Sequence, residues 1–125
     1  AGPVWSPRGE IRWYISLREA LEQINQSDAS SVVSARRVRQ LGSDMLTLLE
    51  YFDRHGRVEA VLAYMVHKAR MGGRPRHGDM AFVLMASPGD ALRCLGRPQA
   101  TLSCGSVIEV SPYRRGLEPP GRDAP

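Results

Sequence analysis

Aromatic residues are scarce in this chain. Its 125 residues include two Phe, four Tyr and two Trp, so any surface that stacks nucleobases has few rings to draw on. Cysteine is scarcer still. Cys94 and Cys104 form no C-x-x-C and have no nearby histidine pair, which argues against a zinc site. Two buried thiols are the expected state, because a disulfide needs facing Cβ atoms and sequence does not set that geometry. No apolar run approaches the ~18 residues of a membrane span. G-x-S-x-G, P-loop and G-x-G-x-x-G patterns are missing. His55, His67 and His77 lack metal-ligand spacing and read as structural, with His55 at a helix C-terminus where the dipole favours a cation. These absences give the expectation of a non-enzymatic protein with no cofactor, metal or membrane span.

What is present is ordinary for a globular domain. Hydrophobic residues make up 42% and charged residues 24%, enough for one core in a domain of this length. Seventeen basic and thirteen acidic side chains leave a net charge of +4, which suits RNA or an acidic protein surface without requiring either. The chain opens Ala1-Gly2-Pro3 without an initiator Met. Removal of a targeting peptide, an expression scar or an excerpt would each produce that start. The first of these carries the expectation of an organellar (plastid or mitochondrial) protein.

Residues 1–15 read as irregular. Ser16-Leu17-Arg18-Glu19 is a capping box, and Leu17, Ala20, Leu21 and Ile24 follow at helical spacing to about Asn25. After a polar linker the pattern becomes β, α, β, β, α, β. Val32 to Val38 is the first strand, and the helix after Asp44 carries Met45, Leu48, Leu49 and Phe52 on one face. Gly56 is expected as its left-handed C-cap. A long strand runs from Val58 to His67, then a loop from Lys68 to Gly78 and a strand from Met80 to Ala86. Ser87-Pro88-Gly89-Asp90 opens the next helix, with Ala91, Leu92 and Leu95 buried. Thr101 to Val110 is the last strand, bent near Gly105. The fold class expected is α+β: a ferredoxin-like βαββαβ sandwich, four antiparallel strands with both helices on one face, plus an N-terminal helix. Residues 1–30 form an extension, 31–111 the domain and 112–125 a tail.

The octamer Gly78-Asp79-Met80-Ala81-Phe82-Val83-Leu84-Met85 resembles the inner-strand signature of the RNA-recognition motif (RRM) family, which reads basic, Gly, aromatic, Gly/Ala, aromatic, aliphatic, any, aromatic. Ala81, Phe82 and Val83 fit; Gly78, Asp79, Met80 and Met85 depart from it. Phe52-x-x-x-Gly56 with Val58 and Val61, Pro88-x-x-Ala91, and Ser106-x-Ile108-x-Val110 are similar to other parts of that family, so the resemblance spans about 31–110. It implies RNA stacking on octamer positions three and five and on one aromatic in the first strand. Here those are Met80, Phe82 and, with the first-strand motif placed at Arg36–Leu41, Arg37. Two of three aromatic platforms are lost, each worth ~1–3 kcal/mol per base.

Strand alternation puts Leu62, Tyr64, Val66, Met80, Phe82, Leu84 and Val107 on the open face of the sheet. Such an apolar face needs a cover. The N-terminal segment (Trp5, Trp13, Tyr14), the Leu17/Leu21/Ile24 helix, a protein partner and RNA are the candidates. Arg36, Arg37, Arg39, Lys68, Arg70, Arg74 and Arg76 are candidate contacts for phosphates or an acidic partner. The function expected is that of an accessory subunit of a larger, organellar protein assembly. Single-stranded RNA binding through Tyr64, Phe82, Arg37 and the Lys68–His77 loop is the alternative.

Overall fold

A computed structural model describes residues 9–66 and 76–114. Strand β1 (Glu10–Tyr14) leads into helix α1 (Leu17–Ile24), and a 3-10 turn at Ala29–Ser31 precedes β2 (Val32–Arg36). A second 3-10 turn (Val38–Leu41) leads to α2 (Leu46–Asp53). Next come β3 (Val58–Val66), the short β4 (Arg76–His77), β5 (Met80–Met85), α3 (Pro88–Cys94), β6 (Gln99–Thr101) and β7 (Val107–Pro112). The fold is mixed α+β. Its seven-stranded sheet has the order β1-β3-β5-β2-β7-β6, with β4 pairing β3.

This sheet is larger than the four antiparallel strands expected. Residues 10–14 are not irregular but form β1, which runs parallel to β3 in the register Glu10↔Ala60 to Tyr14↔Tyr64. The last strand is also not single. Leu102 N donates to Ser106 O at 2.8 Å, and the chain turns back through Gly105 at φ +90. β6 and β7 are therefore a hairpin. Both additions depend on hydrogen bonds to strands that local patterning does not reveal.

The sheet separates two apolar layers. On one side α2 and α3 cover Val33, Ala35, Val61, Ala63, Ala81, Val83 and Met85. On the other, Ala20 and Ile24 of α1 pack over Val32, Ala60, Leu62, Tyr64, Phe82 and Leu84. A bulge at the start of β3, where Val58↔Met85 is followed by Ala60↔Leu84, shifts the alternation by one residue. Val58 and Val61 thereby share the α2/α3 layer.

Local chemistry sets the helix starts. Ser16 Oγ accepts from Glu19 N at 3.2 Å, and the Glu19 carboxylate reaches back to Ile15 N at 3.2 Å. Ser87 Oγ likewise accepts from Asp90 N at 3.2 Å, with Pro88 in the first turn. α2 instead starts at Met45 without a side-chain cap.

Three local expectations fail. Gly56 is not left-handed. It is glycine because a Cβ there would lie 2.9 Å from Asp90 Cβ and 3.0 Å from Met85 Cε. Leu92 is 68% exposed while Cys94 is buried, because Ala91, Cys94 and Leu95 share the face at i, i+3 and i+4. Cys104, expected buried, is exposed.

Candidate interaction site

Leu62, Tyr64, Phe82 and Leu84 all lie on the side of the sheet opposite α2 and α3, and all are buried. Met80 is half-buried at the rim. α1 lies across them, with Leu17 and Leu21 partly buried against the same cluster. The occupant of this part of the face is therefore the protein's own helix. Val107 is the exception: at 37% exposure it lies outside the cluster.

Gly78 shows how tightly this layer is built. It is buried, its N–H donates to Tyr64 O at 2.9 Å, and a Cβ there would overlap the Tyr64 ring. Packing against Tyr64 thus leaves no room for a side chain at position 78. Two residues that sequence reasoning missed complete the layer. Tyr113 is 7% exposed and meets Phe82 edge-on. Ser34 is buried directly across from Phe82, and its Oγ finds no hydrogen-bond partner among the described residues. The alternation Val32, Ser34, Arg36 was the one sequence signal for Ser34, because the residue it faces is set by pairing with β5.

That register corrects the assignment of Arg37. β2 ends at Arg36, and Arg37 adopts φ +68, which turns the chain out of the sheet into the 3-10 turn. The β2 residue beside Phe82 is Ser34. Ser34 and Phe82 therefore share the face that α1 and Tyr113 cover, with Met80 at its rim.

The arginines gather elsewhere. Arg36, Arg37, Arg39 and Arg76 are exposed. They sit at the end of the sheet where β1, β2 and β3 finish and β5 and β7 begin. Arg39 Nε donates to His77 O at 3.1 Å, and Val38 N donates to Asp79 O at 3.1 Å, which ties the turn after β2 to the start of β5. Gln40 Nε2 bridges Arg37 O at 2.7 Å and Val107 O at 2.9 Å. Lys68, Arg70 and Arg74 lie outside the described residues, as do His67 and Trp5.

His55 Nδ1 lies 2.9 Å from Tyr51 O at the end of α2. Burial, then the nearby Asp90 carboxylate, pushes the Cys94 thiol up to about 11. Cys104 is held below the usual thiol value by hydrogen bonds from Ser106. The Asp90 carboxyl is held below its ordinary value by the Ser87 hydroxyl first, with Arg57 and Arg93 adding to it.

No helix among the described residues is long and apolar enough to cross a membrane. No protein-family model matches this chain, and comparison with curated proteins matches none of them to it.

Proposed function

We propose that this protein is a non-catalytic, RRM-like interaction module, an accessory subunit held in a larger assembly by surfaces other than the middle of its sheet. Within the seven strands, the inner order β3-β5-β2-β7 supports a ferredoxin-like reading. β2 and β3 are both antiparallel to β5, so α2 makes a parallel crossover between them. β5 and β7 are both antiparallel to β2, so α3 makes the second. Two such crossovers with helices on one face are the core of that architecture.

The observation that carries the function is the burial of Phe82, 2% exposed beneath the chain's own α1 and Tyr113. A nucleobase cannot stack on a ring already covered on the sheet's open side. Apolar residues remain exposed at the rim instead, with Trp13 and Ile15 on and just after the edge strand β1. An edge strand with neighbouring apolar side chains is a surface a protein partner can extend or cover.

Affinity purification of the protein from its own cells, with and without ribonuclease, tests this reading. A stoichiometric set of proteins that survives ribonuclease is the expected result. Partners that vanish on digestion, leaving RNA crosslinked to the sheet residues, would replace it with RNA binding on the sheet.

A further inference from the structure

The two edges of the sheet are β1 and β6. β6 has three residues, whereas β1 has five, paired with β3 without a break from Glu10↔Ala60 to Tyr14↔Tyr64. Among the described residues, no strand pairs with the outer side of β1. β1 also lacks features that commonly keep an edge unpaired, since it holds no Pro, no Lys and no bulge. Its two charges cancel, with the Arg12 guanidinium donating to the Glu10 carboxylate. The N–H and C=O groups on its outer side are those another strand would use.

The register divides the side chains of β1 between the two faces. Glu10 and Arg12 lie opposite Ala60 and Leu62, on the α1 side of the sheet. Ile11 and Trp13 lie opposite Val61 and Ala63, on the side of α2 and α3. The Trp13 ring leans toward His77, with centroids 5.4 Å apart, and so over the sheet rather than away from its edge. An acid and a base two residues apart on one face make this strand complementary to itself. When two copies pair antiparallel about a two-fold axis and keep their faces continuous, the register is centred on a single residue. Centring on Glu10 sets Glu10 against Glu10 of the second copy, and centring on Arg12 sets the two Arg12 side chains together. Centring on Trp13 leaves Glu10 beyond the paired residues. Centring on Ile11 places each Glu10 opposite Arg12 of the second copy, Ile11 opposite Ile11, and Trp13 opposite Gly9, which has no side chain to obstruct it.

We propose that two copies of this chain pair along β1, antiparallel and centred on Ile11, so that their sheets join into one. The proposal rests on the reading of β1 as an interaction edge and names its occupant. Backbone groups alone would accept a strand of any sequence. The ordering of Glu10 and Arg12 is what selects a second copy, because opposite charges facing across strands stabilise the pairing and like charges oppose it.

The test is sedimentation equilibrium of the full chain over a range of concentrations. The native protein is expected to dimerise. Glu10→Arg and Arg12→Glu, made separately, should each weaken self-association by about 2- to 30-fold for the two opposite-charge pairs lost, with like-charge repulsion adding to the effect. Mixed in equal amounts, the two variants should form a heterodimer near native strength, because the bases of one then face the acids of the other. The Glu10–Arg12 contact within one chain is lost in both variants, so a merely structural role for it gives no such rescue. A native chain that stays monomeric at every concentration overturns the proposal, as does a mixture that associates no more tightly than either variant alone. Both results remove only the second copy from β1. The accessory-subunit reading falls separately, if affinity purification recovers no protein set that survives ribonuclease.

Discussion

The ring of Phe82 meets the ring of Tyr113 edge-on, with centroids 5.8 Å apart and planes at 85°. Tyr113 N donates to Val32 O at 3.3 Å, so the residue just past the last strand prolongs the ladder beside β2, and its ring reaches across β2 to Phe82. Phe82 is thus a core residue in a position where the family resemblance implies an RNA contact. Phe82→Ala is expected to cost about 3–5 kcal/mol of stability, as for other buried Phe truncations, read by urea unfolding. A loss under about 1 kcal/mol would mean that α1 and Tyr113 leave the face open in solution.

Gly78 and Tyr64 make a sharper test of the same layer. Gly78→Ala forces the buried ring to move and should cost about 1–3 kcal/mol. Gly89→Ala is the control, since the one neighbour within 4 Å of its added methyl is Ser87 Oγ at 3.7 Å. In the first turn of α3 it should be neutral or stabilising. Equal effects of the two substitutions in thermal unfolding would sink the close-packing argument.

The two thiols should separate cleanly. Cys104 is exposed with its thiol held low by Ser106, whereas Cys94 is buried and pushed up to about 11. Thiolate is the reactive form. A disulfide-exchange reagent at neutral pH should therefore titrate one thiol in the native protein and the second after denaturation. Two fast thiols would show that α3 detaches readily from the sheet.

Asp90 sets an acid limb. Its folded value is depressed, so its contribution is complete above the unfolded value near 3.8 and is lost as pH falls through the folded value. Asp90→Asn should lower the melting temperature at neutral pH and flatten its fall in acid. The two proteins should converge once both carboxyl states are protonated, in scans from about pH 7 to about pH 2. Parallel curves throughout would remove Asp90 from the acid response.

Several features were legible because their causes are local. Ser16 and Ser87 announce helix starts by the amide three residues on. The alternation Met80–Met85 assigns each side chain to a layer before any partner strand is known. The Ala20/Ile24 stripe marks α1 as a helix with one side to bury. By contrast, placing Arg37 on the platform failed because a strand's end and its register depend on the neighbour it pairs with. Gly56 misled for a similar reason, since its constraint comes from Asp90 on another helix rather than from its own turn.

The amino-acid order by itself determined the three helices and the inner strands, and which apolar set each inner strand presents. Those choices follow from capping, φ/ψ preference and periodicity within a few residues. The tertiary structure alone decided that α1 rather than a ligand covers Phe82, that β1 joins the sheet in parallel, and that Trp13 and His77 come together. Each is a contact between distant segments, selected by which surfaces can exclude water together. No window of local sequence contains that information.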